Sequence, residues 1–245
     1  MSRASVTKQE GTSKVQATSA SPIVVEPGGE GVVAHVGLHV LGAFADRVGL
    51  TSALSAAVPS AAVVHDRGKV LVQAALMLAG GGECCADIEA LRAQPHLFGD
   101  VPSDSTLYRT MRAIDGPTRD AIGEAAASVR AKVWDRAGLT AGTDTVILDL
   151  DASLVEIHSE HKEGTAPTYK AGFGFSPMFC FADATGEALG VTLRPGNATA
   201  NSIDDQLVAL DMAVAQLPAQ IAAGHRPGDD PALVNRAVTV RADSA

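Results

Sequence analysis

The sequence predicts an α/β protein in which a helical region precedes a mixed sheet, because the hydrophobic period changes once along the chain. From His35 to about Gly138, apolar residues recur at the spacing of amphipathic helices, and no strand pattern interrupts them. At Thr143 the pattern changes, since "TVILDLD" is a short run of branched apolar residues typical of a buried strand. Helices and sheet are therefore expected in separate parts of the chain.

Three segments follow from this change of period. Residues 1–30 are rich in Ser, Thr and Gly and show no periodicity, so we expect a disordered tail. Residues 31–140 form the helical region, in which Asp66 precedes one helix as a candidate N-cap and Pro117 opens the last helix. Residues 141–245 contain the predicted sheet.

The C-terminal segment combines strands with one long helix. A strand–helix–strand connection favours parallel pairing of the last strand with an earlier one. The second strand has phenylalanines at a period of two, and we expect them on one face as core residues: Phe173, Phe175, Phe179 and Phe181. The expected core face of the helix is Ile203, Leu207, Leu210, Val214, Leu217 and Ile221. The predicted elements are strands near 144–151, 171–182, 187–194 and 237–243, and a helix near 202–222.

Composition excludes several classes of protein. Hydrophobic residues make up 46% of the chain, yet no run approaches the roughly 18 apolar residues of a membrane helix. The N-terminal residues lack the apolar stretch of a secretory signal, and Cys84, Cys85 and Cys180 have no metal or disulfide spacing. We therefore expect a cytoplasmic protein without a membrane partner. The formal net charge of −9 argues against nucleic-acid binding over the whole surface, but not against a local basic site.

Two aspartates at the end of the first predicted strand are the strongest candidates for chemistry. Asp149 and Asp151, in "VILDLDAS", lie two residues apart, so both side chains project from one face of a strand. Asp243 ends the last strand, and parallel pairing can bring it beside them. Carboxylates that close repel unless a cation lies between them, and such oxygen ligands suit Mg²⁺ or Mn²⁺. Alternatively the aspartates merely begin loops, and the residues alone leave both interpretations open.

The order of elements resembles that of the ribonuclease H-like nucleotidyl-transferases, with an incomplete mixed sheet. Three stretches make the resemblance more specific: "LDLDASLVEIHSEHKEGTAPTYKAGFGFSPMFCF", "LRPGNATANS" and "VRADSA". They are similar to the DDE transposases of bacterial insertion sequences, and most similar to the group numbered thirteen-eighty (DDE domain group one). The helical region contributes "KVLVQAALMLAGGGECCADIEALRAQPHLFG" and "PSDSTLYRTM", so the resemblance covers about residues 30–245.

The resemblance implies a role for particular residues. Asp151 matches the first catalytic acid of the family and Asp243 the second, while Asp149 is an auxiliary ligand or an alternative first acid. Arg194 and Asn197 match a loop near the active centre, which makes them candidates for DNA contact. The implied cofactors are two Mg²⁺ or Mn²⁺ ions. The implied partner is DNA carrying the terminal inverted repeats, and a homo-oligomer is a candidate assembly.

The chain departs from the family pattern at the third acid. The family places a Glu on a helix after the strand of its second acid, and this chain has two residues after Asp243. We therefore expect a partial or inactive transposase chain, and whether these residues alone form an enzyme is left open.

Two other functions compete with this interpretation. A haloacid-dehalogenase-like phosphatase also begins with a strand ending in Asp-x-Asp, and "PGDDPA" supplies a later acidic pair, although no suitably placed Lys lies between them. A non-catalytic DNA-binding or dimerising remnant is the second alternative. For it, "STLYRT" is a candidate recognition helix in which Ser105, Thr106 and Arg109 face DNA, although its surroundings are acidic.

A polar loop after the first strand contains a further pair of candidate ligands. His158 and His161 flank Glu160, which permits a metal role, but a solvated loop is the favoured interpretation.

Overall fold

The structure, a computed structural model, describes residues 14–15, 23–24, 35–58, 64–140, 145–159, 161–199, 202–226, 228–233 and 238–242. The chain forms two compact units, Met1–Ala125 and Ala126–Ala245. The division falls inside a helix, so the segment boundary expected near residue 140 stays a prediction. No helix in the described part of the chain is long and apolar enough to cross a membrane.

Helices dominate the N-terminal unit, as the sequence predicts. The expected tail, residues 1–30, lies mostly outside the described residues, and its described parts are two short strands that pair antiparallel, β1 (Lys14–Val15) and β2 (Ile23–Val24). The helices that begin in this unit are α1 (Val36–Val48), α2 (Leu50–Ala57), α3 (Arg67–Ala79), α4 (Glu89–Arg92), α5 (Pro95–Phe98), α6 (Asp104–Arg112) and α7 (Gly116–Arg136).

Helix α3 is the centre of this unit. Its N-cap is Asp66, whose carboxylate accepts the backbone N–H of Lys69 at 2.8 Å, which confirms the predicted cap. Gly68, in the first turn, lets α2 approach closely, since a Cβ there would lie 2.1 Å from the backbone nitrogen of Ser55. Most of α3 is buried, and its apolar side chains join residues of α1, α2 and α6 in one core.

A mixed four-stranded sheet forms the core of the C-terminal unit. Its strands are β3 (Val146–Ala152), β7 (Met178–Ala182), β8 (Glu187–Thr192) and β9 (Val238–Ala242). They lie in the order β8-β7-β3-β9, with β7 antiparallel to both β8 and β3, and with β9 parallel to β3. This arrangement confirms the predicted α/β class and the expected ribonuclease H-like mixed sheet behind a helical region.

A second, three-stranded sheet departs from the prediction. It consists of β4 (Val155–Ile157), β6 (Phe173–Phe175) and β5 (Ala166–Pro167), with β6 in the middle. The expectation of one strand over 171–182 is therefore wrong, since β6 and β7 belong to different sheets. Ser176 and Pro177 separate them, and Pro lacks the N–H that a continuous central strand must donate.

One face of the four-stranded sheet is covered by α8 (Ile203–Gln216). Helix and sheet approach closely because small residues meet: a Cβ on Gly190 of β8 would lie 2.3 Å from the carbonyl oxygen of Ala209. Ala209 and Ala213 are therefore fully buried, whereas Ile203 and Leu207 are 71% and 52% exposed. The expected core face of this helix is correct at Val214 and wrong at Ile203 and Leu207.

The predicted helix over 202–222 is interrupted. It starts as expected, with the Ser202 side chain accepting the N–H of Asp205, but α8 ends before Leu217 and a separate α9 covers Ala219–Ala222. Leu217 is extended, with ψ of 148°, because a residue before proline is disfavoured in the helical conformation.

Candidate functional site

Asp151 lies at the end of the sheet where the parallel strands β3 and β9 finish together. The pairing of these strands runs from Val146 opposite Val238 to Leu150 opposite Ala242. It stops one residue before Asp151 on β3 and one residue before position 243 on β9. Asp243 lies outside the described residues, so its contact with Asp151 stays a prediction.

Asp151 is an exposed carboxylate at this end of the sheet. It lies opposite Phe179 of β7, on the face away from α8. Among the described residues, no side chain pairs with it. An exposed carboxylate with both oxygens available is the chemistry that a hard divalent cation requires, so Asp151 fits the predicted metal role.

Asp149 lies on the same face but in a different environment. Arg241 on β9 is directly opposite and donates from Nε to Oδ1 at 2.6 Å and from Nη2 to Oδ2 at 2.7 Å. These hydrogen bonds and the positive charge hold the pKa of the Asp149 carboxyl below its usual range. Both oxygens of Asp149 are therefore bound by the Arg241 guanidinium, where an auxiliary ligand would bind a metal ion. Asp149 fits the predicted role of auxiliary ligand poorly.

Arg241 also binds a second carboxylate, which lies across β3 next to the end of β7. Its Nη2 also donates to Oδ1 of Asp183, just after β7, at 2.5 Å. The side chains of Asp149, Asp183 and Arg241 are 31%, 47% and 54% exposed. The three form an ion cluster across the end of β7 and two neighbouring strands, and sequence reasoning missed both Arg241 and Asp183.

The phenylalanines expected in one stripe are divided between the two sheets. Phe179 and Phe181 are half-buried on the face of Asp149 and Asp151, with ring centroids 5.5 Å apart. Phe175 is buried in the small sheet. The expectation of a single core stripe is wrong, because alternate residues of β7, not these two, face α8.

The loop that follows β8 starts at the same end of the sheet as Asp151. Met178 pairs with Ala152 at the end of β3 and with Thr192 at the end of β8, so both strands finish there. Asn197 in this loop is exposed. Two strand spacings, about 10 Å, separate the paths of β3 and β8, which places the start of the loop near Asp151.

Arg194 begins this loop and is 4% exposed. Its guanidinium donates to the carbonyl oxygens of Ser176 and Thr199 at 2.8 Å and to the Asp205 carboxylate at 2.9 Å. The Ser176 N–H donates in return to the carbonyl oxygen of Arg194 at 2.9 Å. Arg194 thus holds the junction between the two sheets, and its predicted contact with DNA stays a prediction that this burial does not favour.

The glutamates of the C-terminal unit differ in what they bind. Glu187 accepts hydrogen bonds from Arg130 at 2.6 Å and from the Trp134 indole at 3.0 Å, which ties α7 to β8. Glu156 and Glu163 are exposed, and Glu160 lies outside the described residues. In the described part of the chain, no three His, Cys, Asp or Glu residues lie together as a metal site would need.

Other predicted sites are exposed or engaged locally. Arg109 is exposed on α6, where it donates to the carbonyl oxygen of Ser105 and to the Thr106 hydroxyl. The aspartates of "PGDDPA" accept backbone N–H groups of their own turn, Asp229 from Gly224 and Arg226 and Asp230 from Ala232.

The polar loop after β3 gives no support to a metal role for its histidines. His158 and His161 are both exposed, and the Glu160 between them is not described. A solvated loop therefore remains the favoured interpretation.

Comparison with known protein families identifies the class of protein. A family model described as transposase DDE domain group 1 matches residues 15–245, which is nearly the whole chain. The chain therefore belongs to the transposase DDE domain group 1 family. Searches of curated proteins and of solved structures found no match.

Proposed function

We propose that the chain acts in DNA transposition by metal-dependent strand cleavage and transfer at the ends of an insertion sequence of group thirteen-eighty. Asp151 is the first metal ligand in this proposal and Asp243 the second, with Mg²⁺ or Mn²⁺ bound between them. One observation supports it above all: β3 and β9 are parallel neighbours, and their pairing ends one residue before each acid. Membership of the DDE family supports the same assignment.

The proposed reaction requires little more from the protein than placement of charge. A bound pair of ions about 4 Å apart would activate a water molecule and stabilise the oxygens of an in-line displacement at phosphorus. The exposed Asp151 carboxylate can take up such an ion without breaking an existing ion pair. Arg241 neutralises the neighbouring Asp149, so this face accepts one cation beside Asp151 and already contains another beside Asp149.

Metal-dependent stabilisation tests the site without requiring activity. Thermal unfolding of the purified chain is followed while Mn²⁺ is titrated, since an ion that binds only the folded state raises the unfolding temperature. Asp151→Asn and Asp243→Asn should each remove most of the Mn²⁺-dependent increase. Asp211→Asn, at an exposed acid on α8, is the matched control and should leave it unchanged. An Mn²⁺ response that persists in Asp151→Asn would contradict the assignment.

The proposed partner is duplex DNA that carries the terminal inverted repeats of the element. Arg109 and Asn197 are exposed and are the proposed contacts, while a second copy of the chain is proposed to complete the assembly. Arg109→Ala should weaken binding to the element's end duplexes in a gel shift. If Arg109 contacts a phosphate, the slope of log K against log salt should fall by about one. An unchanged affinity and salt slope would remove Arg109 from the interface.

We also propose that these 245 residues alone cut DNA poorly. Among the described residues, no three His, Cys, Asp or Glu side chains lie together, and Glu187 is engaged by Arg130 and Trp134. A role in binding DNA without cutting it is the second candidate function, and the same observation favours it. A cleavage assay with Mn²⁺ on end duplexes separates the two, run beside a gel shift. Cleavage that Asp151→Ala abolishes would contradict the proposal of inactivity.

A further inference from the structure

The ion cluster of Asp149, Arg241 and Asp183 lies beside the proposed metal site but is not explained by it. It connects the middle of β3, the outer strand β9 and the residue that follows β7. Arg241 binds two carboxylates, those of Asp149 and Asp183. In the sequence it lies two residues before the proposed ligand Asp243.

We propose that Arg241 is a positioning residue: by binding Asp149 and Asp183 it holds β9 in register beside β3, so that the acid following β9 stays beside Asp151. This inference rests on the proposed function, since it assumes a metal site between Asp151 and Asp243. It assigns Asp149 a different role from that of an auxiliary metal ligand. Asp149 is the anchor for Arg241.

Burial gives β9 little other support. In the order β8-β7-β3-β9 it is the outer strand among the described residues, and of its five residues only Val238 is partly buried against the core. Val240 is on the face of α8 but is 41% exposed. A parallel outer strand with so little apolar contact depends on its backbone pairing and on side-chain anchors.

The geometry of the anchor resists the movement that would damage the site. A slip of β9 by two residues keeps its side-chain faces but moves the strand by about 6.6 Å, which would separate the acids. Two parallel hydrogen bonds from a planar guanidinium to one carboxylate fix direction as well as distance, which a single ammonium does not. The third bond, to Asp183, holds the guanidinium on the side of β7.

Charge separates an anchor from a ligand. Both oxygens of Asp149 accept hydrogen bonds from Arg241, and a second cation at the same carboxylate would lie against the guanidinium charge. Asp151, two residues further along the same face, has no such competitor among the described residues. The two aspartates of "DLD" thus have different roles in this proposal: Asp149 binds Arg241 on the neighbouring strand, and Asp151 is available to bind the metal ion.

The test is a double-mutant cycle on Mn²⁺ affinity in the full chain. The half-saturating Mn²⁺ concentration is measured by thermal unfolding for wild type, Asp149→Asn, Arg241→Gln and the double variant. Removal of a partner that orients a ligand typically weakens metal binding, and each single variant should raise the half-saturating concentration by about tenfold. The half-saturating concentration of the double variant should not exceed that of the more affected single variant, because both substitutions remove the same contact.

Two further variants distinguish loss of the Asp149–Arg241 contact from a general loss of structure. Arg241→Lys keeps the charge but loses the two-bond geometry, so its Mn²⁺ affinity should lie between those of wild type and Arg241→Gln. The exchange of Asp149→Arg with Arg241→Asp should recover part of the affinity lost in Arg241→Gln. The unfolding temperature without metal should change little in all of them, because the pair is largely exposed.

Each outcome has one interpretation. An unchanged Mn²⁺ affinity in Arg241→Gln, while Asp151→Asn still abolishes binding, overturns the inference and leaves the proposed function standing. Additive losses in the double variant also overturn it, since they show that Asp149 binds the metal directly. If wild type shows no Mn²⁺ response that depends on Asp151, the proposed function fails, and this inference fails with it.

Discussion

The two faces of the four-stranded sheet come from the same strands but have different chemistry. The face against α8 is apolar and buried, with Leu148, Leu150, Met178, Cys180, Ala182 and Leu189. The opposite face contains Asp149, Asp151 and Arg241 and is open to solvent to a large extent. Because side chains alternate along a strand, adjacent residues can serve stability and chemistry separately. Substitutions at neighbouring positions should therefore have separable effects.

The largest effect is expected at Leu148, which is fully buried on the covered face of β3. Leu148→Ala removes apolar contacts and leaves a cavity, and we expect the free energy of unfolding to fall by about 3–4 kcal/mol. Ile147→Ala is the matched control, since Ile147 is half-buried and lies one residue earlier on the opposite face of the sheet. It should lower the free energy of unfolding by about 1 kcal/mol. Denaturant unfolding measures both. Equal losses would show that the open face is covered in solution.

Arg194 is an exception to the comparison, since it is a buried charge outside both faces. Arg194→Ala leaves the carbonyl oxygens of Ser176 and Thr199 and the Asp205 carboxylate without their donor. We expect a loss of about 3 kcal/mol in the free energy of unfolding. Arg226→Ala, at an exposed arginine, should be within about 0.5 kcal/mol of wild type. A stable Arg194→Ala variant with weakened DNA binding would instead make Arg194 a DNA contact.

A smaller loss is expected where helix and sheet meet most closely. Gly190→Ala places a Cβ against the backbone of Ala209, so α8 must move, at a cost of about 2 kcal/mol. Ala188→Val on the same strand is exposed and should change stability by less than about 0.5 kcal/mol. Thermal and denaturant unfolding of the two variants compare the faces directly. A neutral Gly190→Ala would mean that α8 adjusts without cost.

The smallest expected effect is a pH dependence on the charged face. In the folded chain the pKa of Asp149 is lowered by its hydrogen bonds from Arg241, so the folded state holds this proton less tightly than the unfolded state. The stability that follows is fully present above the unfolded pKa of about 4 and is lost as pH falls through the folded pKa. Asp149→Asn should therefore be less stable than wild type at neutral pH, and the difference should shrink below about pH 4. A difference that is constant from pH 7 to pH 3 would remove the ion pair as its cause.

Local patterns in the sequence were sufficient for the class of fold and for most of its elements. The run of branched apolar residues after Thr143 predicted β3, and the spacing of apolar residues predicted the helix that contains Val214. The face of that helix was partly wrong because large residues were expected to point inwards. Gly190 in the middle of a strand was the available signal, since a glycine there often marks a close approach of another backbone.

The candidate site was less accessible to sequence reasoning. Its partners lie far apart in the chain, as Asp149 and Arg241 are 92 residues apart. Parallel pairing of the strands was expected, but the register was not, and a two-residue step of register decides whether Arg241 faces Asp149 or Asp151. A single sequence holds no signal for that step, because the hydrophobic pattern of β9 is too short and too exposed to set it.

The reciprocal bonds between Ser176 and Arg194 have a consequence for how the molecule opens. Backbone amides exchange with solvent deuterium when a local fluctuation exposes them. The buried guanidinium of Arg194 binds the Ser176 carbonyl oxygen, and the carbonyl oxygen of Arg194 binds the N–H of Ser176. Ser176 lies between strands of two sheets, at a corner where fast exchange is usual. We expect instead that the Ser176 amide exchanges only when the four-stranded sheet opens. The three-stranded sheet would then move as one rigid unit with the four-stranded sheet, and not independently of it.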